Sequence, residues 1–250
     1  MKDLVKRGVK KILPAPIMNV FRLMWQRAGL NQFRGTSIEE AFDTIYKRGL
    51  WGKGSGIGSY GLWAENYVEF LKKFISHEGI RSITDIGCGD FNIGSQIAGL
   101  VENYNACDVS AFIINQNINT SNLSNVKFIK LNACTESIPT ADLVTIRQVL
   151  QHLTNAEIEQ ILQNVEASGA RVCVVAEHLP PENALDAPNK NIPSHSAQTR
   201  NIISSGVMIN MPPFSRKASV QWAYELPDTG DRLAIFVYYL NDADQGSGSV

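Results

Sequence analysis

Residues 82–94 read Ser-Ile-Thr-Asp-Ile-Gly-Cys-Gly-Asp-Phe-Asn-Ile-Gly, and no other stretch constrains the fold as much. A β-rich run stops at Asp85-Ile86, Gly87 and Gly89 open a turn, and a helical pattern follows. A strand that breaks at glycine and restarts as a helix lets backbone approach a ligand closely. In open α/β sheets that ligand sits beyond the carboxyl ends of the strands. A dinucleotide turn needs Gly-x-Gly-x-x-Gly, its third glycine packing helix against strand. Asn92 occupies that third position and the next glycine is Gly94, so the pyrophosphate fingerprint is broken. A glycine turn that binds nothing is the plainest alternative.

The rest of the chain repeats the alternation. Strand patterns fall at 82–86, 103–108, 126–131, 141–147 and 171–177, and helical periodicity at 62–78, 93–101, 110–118 and 155–167. Such an order builds βαβ units and a parallel sheet. Residues 180–195, rich in Pro and Asn, read as a long loop. Strands at about 217–225 and 232–240 flank Leu226-Pro-Asp-Thr-Gly-Asp231, a strong turn signal. Two strands joined by so short a turn are antiparallel. The expected fold class is therefore α/β: a mostly parallel seven-stranded sheet, helices on both faces and an antiparallel C-terminal hairpin. The expected organisation is a basic helical arm at 1–34, a helix and Gly-rich lid loop at 35–61, a main domain at 62–241 with an insertion at 180–216, and a disordered tail at 242–250.

Apolar content of 44% and charged content of 19% over 250 residues describe a soluble globular chain. No apolar run approaches a bilayer span. Pro14 and Pro16 interrupt any leader-like segment behind the basic N-terminus. Residues 1–34 carry eight Lys or Arg against one Asp, a charge of +7 that leaves −8 on the remainder. An acidic body argues against nucleic-acid binding. Residues 4–13 and 17–28 read as amphipathic helices. Such an arm packs on the main domain or on a second subunit; its alternative is peripheral contact with the anionic inner face of a membrane. Cys88, Cys107, Cys134 and Cys173 lie in or beside strand patterns without metal-ligand spacing. Four buried free thiols, a cytoplasmic location and no metal site are the expectations.

Asp85-Ile-Gly-Cys-Gly89 resembles, residue for residue, the first motif of class I S-adenosylmethionine-dependent methyltransferases, a family with a Rossmann-like fold. The resemblance implies that Asp85, Gly87, Cys88 and Gly89 line the cofactor. The acid suits a ligand that carries an ammonium and a sulfonium. Asp108, with Val109 after it, ends the second strand 23 residues on, where a carboxylate can accept from a ribose diol. Dinucleotide enzymes use the same device, and an Asp there can also cap the next helix. Asn132 and Ala133 follow the third strand, where the family flanks adenine and usually carries Asp in place of Asn132. The run Ala141–Leu153 looks like the fourth motif, with Arg147 and Gln148 beside the methionyl end of the cofactor. These motifs cover roughly residues 62–180. The Gly-rich loop, the strand-four run and Pro212-Pro213-Phe214 resemble, more loosely, small bacterial methyltransferases of surface-glycan or metabolite pathways.

Methyl transfer to a hydroxyl asks the protein to align the acceptor and remove its proton. His152 follows the fourth strand and is the expected general base, with Glu177 or His178 after the fifth strand as partner or substitute. Histidine at a helix start can equally serve packing alone. Substrate contacts are expected from Trp51, Ser55, Ser59 and Tyr60 of the Gly-rich loop and from Arg200 of the insertion, a bidentate anion binder. A sugar hydroxyl is the leading acceptor. The rival readings are N-methylation of a metabolite, a nicotinamide oxidoreductase and a non-catalytic module.

Overall fold

The computed structural model describes residues 28–226 and 229–240. Most of the expected N-terminal arm and the whole expected tail lie outside the described residues. The helices are α1 (Ile38–Lys47), α2 (Gly61–Glu78), α3 (Ala111–Thr120) and α4 (Asn155–Ala167). The strands are β1 (Ser82–Ile86), β2 (Asn103–Asp108), β3 (Val126–Lys130), β4 (Leu143–Arg147), β5 (Val172–Leu179), β6 (Ser219–Glu225) and β7 (Arg232–Tyr239).

Local chemistry sets the helix boundaries. The Ser37 side chain accepts from Glu40 N while Glu40 reaches back to Ser37 N, and Thr154 and Glu157 repeat this reciprocal cap on α4. α2 stops at Gly79, whose φ of 60° is left-handed. Trp63, Tyr67, Leu71 and Phe74 recur at helical spacing on α2 and are all buried.

The seven strands form one sheet in the order β3-β2-β1-β4-β5-β7-β6. β1 to β5 run parallel, and β7 is antiparallel to both β5 and β6. The expected architecture and its terminal hairpin are both present. One face packs under α1 and α4 through Phe42, Ile146, Leu150, Ile158 and Val175. The other packs under α2 through Tyr67, Leu71, Ile83, Val174 and Ile235. Each fully buried Leu or Ile adds about 1.5–3 kcal/mol, so the sheet is clamped from both sides.

One expectation is corrected. Residues 93–101 do not form one α-helix but two single 3-10 turns, Gly94–Gln96 and Ala98–Leu100. Gly94 and Gly99 weaken a helix there, and a side chain at Gly94 would meet the Phe91 ring 2.3 Å away. The insertion is a long loop at 180–195, as expected, and it is packed. Ile192, Val207, Ile209 and Phe214 are buried. Asn189 Nδ2 donates to the carbonyls of Met208, Met211 and Pro212.

Strand order reverses between β1 and β4, so a crevice opens beyond their carboxyl ends. Among the described residues no helix is long and apolar enough to cross a membrane. All four cysteines are buried free thiols.

Candidate active site

The crevice holds a cavity of about 430 Å³. Its floor is the turn after β1. Gly87 and Gly89 have φ of 74° and 56°, which a side chain adopts only under strain. The N–H groups of Gly87 and Cys88 both donate to Cys107 O, at 2.8 and 2.9 Å, hooking the turn to the end of β2. A Cβ at Gly87 would come within 2.2 Å of Val149 Cγ2. Glycine is therefore required by packing as well as by conformation.

Two buried aspartates face this floor. Asp85 accepts from Tyr104 Oη at 2.9 Å and from Thr145 Oγ1 at 2.8 Å. Burial raises its pKa and those donors oppose the rise. Asp108 accepts from Gly89 N at 3.1 Å and Ser110 N at 2.9 Å. Burial, only partly offset by these donors, pushes it up to about 6. Each Asp108 oxygen retains a lone pair for a ligand hydroxyl. Asn132 and Ala133 line the third wall. Asn132 Nδ2 donates to Glu39 Oε1 at 2.9 Å and its Oδ1 accepts from Cys134 N, which leaves one N–H and one lone pair free.

The Gly-rich loop closes the cavity and is stapled down. Asp90 Oδ2 accepts from Ser55 N at 3.0 Å and Tyr60 Oη at 2.9 Å, and Ser55 Oγ accepts from Asp90 N at 2.7 Å. Asn92 Nδ2 donates to Ser59 O, and Arg147 Nη2 donates to Gly58 O. A Cβ at Gly58 would lie 2.1 Å from Gln148 Oε1, so a side chain there would displace the Gln148 amide. Gln148 is itself held at a φ of 53°. Trp51 Nε1 donates to Ala197 O at 2.9 Å and so ties the lid to the insertion.

His152 stands against this lid, its ring 5.0 Å from that of Trp51. Its Nδ1 lies 3.0 Å from Ser196 O and 3.3 Å from Gln198 O. Two carbonyls can only accept, so Nδ1 carries the proton and Nε2 presents a lone pair. The nearest polar contact of Nε2 is Gln151 Nε2 at 3.4 Å. Burial lowers the His152 pKa to about 4, which keeps the ring neutral at physiological pH. His178 lines the opposite side, 4.9 Å from Trp63, with Nε2 at 3.3 Å from Asp231 Oδ2 and 3.0 Å from Asn201 Nδ2. Burial lowers its pKa and Asp231 opposes the fall.

One cavity thus gathers Trp51, Ser55, Ser59, Asp85, Gly87, Cys88, Asp108, Val109, Asn132, Ala133, Arg147, Gln148, His152 and His178. Gly89 is outside the lining; its N–H donates to Asp108 Oδ2 and its carbonyl accepts from Asn117 Nδ2. Ser55 bonds to Asp90, and Ser59 O accepts from Asn92, beside the β1 turn. Tyr60, Arg200 and Glu177 lie outside the cavity lining. Tyr60 faces a shallow outer recess with Lys53 and Ile57. Arg200 is fully buried, and its Nη1 and Nη2 donate to Asn155 Oδ1, Lys190 O and Leu153 O. These bonds weld the insertion to the turn before α4. Glu177 is fully buried and outside the cavity lining, with its oxygens accepting from Leu150 N at 2.9 Å and Gln151 N at 3.3 Å. It shapes the turn that carries His152 and does not touch a reacting atom.

Sequence reasoning passed over Tyr46, Trp63, Tyr67 and Asp90, all of which line the cavity. Trp63 and Tyr67 were readable as an i, i+4 pair on α2, but the same spacing describes any core stripe. Among the described residues no group of three or more His, Cys, Asp or Glu could hold a metal ion.

Burial lifts Glu177 to about 8, whereas an unfolded Glu ionises near 4.3. Between those two values the folded chain holds a proton that the unfolded chain has lost, so this contribution to stability falls as pH rises from about 4.3 to about 8. Glu177→Gln is expected to flatten the fall in melting temperature between about pH 5 and 8. Parallel slopes for both proteins would disprove the assignment.

The broken third glycine and the antiparallel end of the sheet separate this site from a dinucleotide site. With an acid-x-Gly-x-Gly floor at the switch point, they define a class I S-adenosylmethionine-dependent methyltransferase. The sequence profile of the O-methyltransferase domain matches residues 19–194, and the chain belongs to that family. No curated protein matches it in sequence. Among solved structures, magnesium protoporphyrin IX methyltransferase (ChlM) from Synechocystis PCC 6803 with bound SAH is similar at 13% identity and a TM-score of 0.52, over 78% of this chain and 96% of that one. A S-adenosylmethionine-dependent methyltransferase from Clostridium acetobutylicum ATCC 824 is similar at 10% identity and a TM-score of 0.51, over 79% and 98%. The N-methyltransferase NodS from Bradyrhizobium japonicum WM9 with SAH is similar at 14% identity and a TM-score of 0.50, over 70% and 87%. At these identities the likeness is one of fold.

Proposed function

We propose that this enzyme methylates a hydroxyl of a small molecule or glycan, with a sugar hydroxyl as acceptor and His152 as general base. The observation that carries the reading is the fixed tautomer of His152. Two backbone carbonyls hold the proton on Nδ1, so Nε2 keeps a lone pair, 3.4 Å from Gln151 Nε2, on a side chain that lines the cavity. S-adenosylmethionine, when bound, supplies a methyl group on a sulfonium that leaves as a neutral thioether. Asp85 would face its ammonium, and Asp108 would accept from its ribose diol. The stapled lid keeps water from the reacting carbon. An acceptor hydroxyl against His152 Nε2 gives up its proton as the new O–C bond forms.

A polyol fits the surroundings of that nitrogen. Gln151 Oε1 is sealed from solvent without a partner and its side chain lines the cavity next to His152. It can accept from a hydroxyl neighbouring the reacting one. The Trp51 ring offers a flat face beside both. The test is release of S-adenosylhomocysteine from the full-length enzyme over a panel of sugars, lipid-linked glycans, phenols and amines. Turnover on sugars or glycans supports the reading, and turnover confined to amines refutes it.

A further inference from the structure

The lid loop is turned inside out. Its polar groups face the protein: Ser55 bonds to Asp90, and Ser59 O and Gly58 O accept from Asn92 and Arg147. Its one large aliphatic side chain, Ile57, is 86% exposed. Four of the nine large apolar side chains exposed among the described residues, Leu50, Ile57, Tyr60 and Leu62, fall within this one short stretch. A single exposed apolar residue is ordinary, but a cluster marks a surface that meets something. Ile57 and Tyr60 share an outer recess with Trp51, Lys53 and Gly56, so neighbours in sequence here are neighbours in space. Trp51, Gly56 and Ile57 also line the cavity, which makes this surface the outside of its cover.

Backbone and charge say what the surface meets. The N–H groups of Gly56, Ser59 and Tyr60 donate to Lys53 O, Gly56 O and Ile57 O. A tip whose peptide groups are paired within itself enters an apolar layer at little cost. Residues 44–64 hold Lys47, Arg48 and Lys53 and no acid, in a body that is otherwise acidic. Lys47 is paired with Asp43. Arg48 and Lys53 are exposed, and Lys53 Nζ stands 5.8 Å from the centroid of the Tyr60 ring. Asp90, which Tyr60 Oη reaches, is engaged by that hydroxyl and by Ser55 N. An aliphatic tip, a tyrosine beside it and cations near both match the layers of an anionic bilayer: acyl chains, headgroup boundary and phosphates. A lipid surface also needs no shape complementary to a protruding side chain.

We propose that the outside of the lid docks on an anionic lipid surface. Ile57 inserts below the headgroups, Tyr60 lies at their level, and Arg48 and Lys53 face the lipid phosphates. Docking sets the cover of the cavity against the bilayer. The inference goes beyond the acceptor reading above and holds whichever group is methylated.

Flotation of the full-length protein with vesicles of phosphatidylcholine and phosphatidylglycerol in equal parts tests this. Ile57→Glu is expected to weaken binding by about 10-fold or more, and Lys53→Gln by about 5-fold, with the basic residues of 1–34 untouched. A second measurement locates the contact. The native cysteines are all buried, so an environment-sensitive dye can be placed on the Ile57→Cys variant. Its emission should shift to the blue on these vesicles. The same dye on Ile118→Cys, 54% exposed on α3, should not shift. Binding that Ile57→Glu leaves unchanged, no shift at position 57, or equal shifts at both positions overturns the proposal and gives any contact to the basic arm. A wild type that binds no vesicles also overturns it and leaves the patch to a protein partner.

Discussion

His152→Ala is expected to lower kcat by about 10²- to 10⁴-fold, the usual worth of a positioned general base, with S-adenosylhomocysteine affinity unchanged. The separation follows from the geometry. His152 touches Trp51, Phe42 and the carbonyls of Ser196 and Gln198, and none of the groups placed for the cofactor. His152→Asn is the control, because its amide can still donate to Ser196 O but has no basic nitrogen. The pH profile sharpens the test. A base with a pKa of about 4 is already unprotonated at pH 5, so kcat should be flat from there to pH 8. Asp108, at about 6, must ionise to accept from a ribose, so cofactor affinity should weaken below about pH 6 while kcat at saturation does not. An acid limb in kcat near pH 6.5–7 would instead point to His178.

Arg200→Ala is expected to destabilise the fold by about 3–5 kcal/mol, read as a drop in the urea midpoint. The guanidinium bonds to Lys190 O at 2.7 Å, Asn155 Oδ1 at 2.8 Å and Leu153 O. Its removal strands three buried acceptors on two segments. It also removes the cation that holds the Glu177 pKa down, so Glu177 should become still harder to ionise. Arg200→Lys should recover little, because one ammonium on a flexible stem cannot span all three acceptors. A loss under about 1 kcal/mol would show that the insertion is held by its buried side chains instead.

Much of this architecture was legible because its signals are local. The strands β4 and β5 are near-continuous apolar runs, as parallel strands covered on both faces must be. The turn at Leu226–Asp231 announced the antiparallel pair. The failures came where short-range cues were ambiguous. Residues 93–101 have a helical spacing of apolar residues, but Gly94 and Gly99 reduce it to single turns. Arg200 and Glu177 look alike in sequence as charged residues near strand ends. An exposed pair would serve ligands, and a buried pair serves the backbone. Only burial decides between the two, and burial depends on where the insertion packs.

The amino-acid order alone determined the class of fold, the glycine floor and the two aspartates of the site, because each depends on backbone conformation within one βα unit. It also placed His152 at the strand ends. Tertiary structure decided the rest. It fixed the tautomer of His152 through carbonyls 44 and 46 residues away. It brought the Gly-rich loop onto Asp90, Asn92 and Arg147. Those are pairings across long loops. No local propensity encodes them, since they exist only once the sheet has brought its strand ends together.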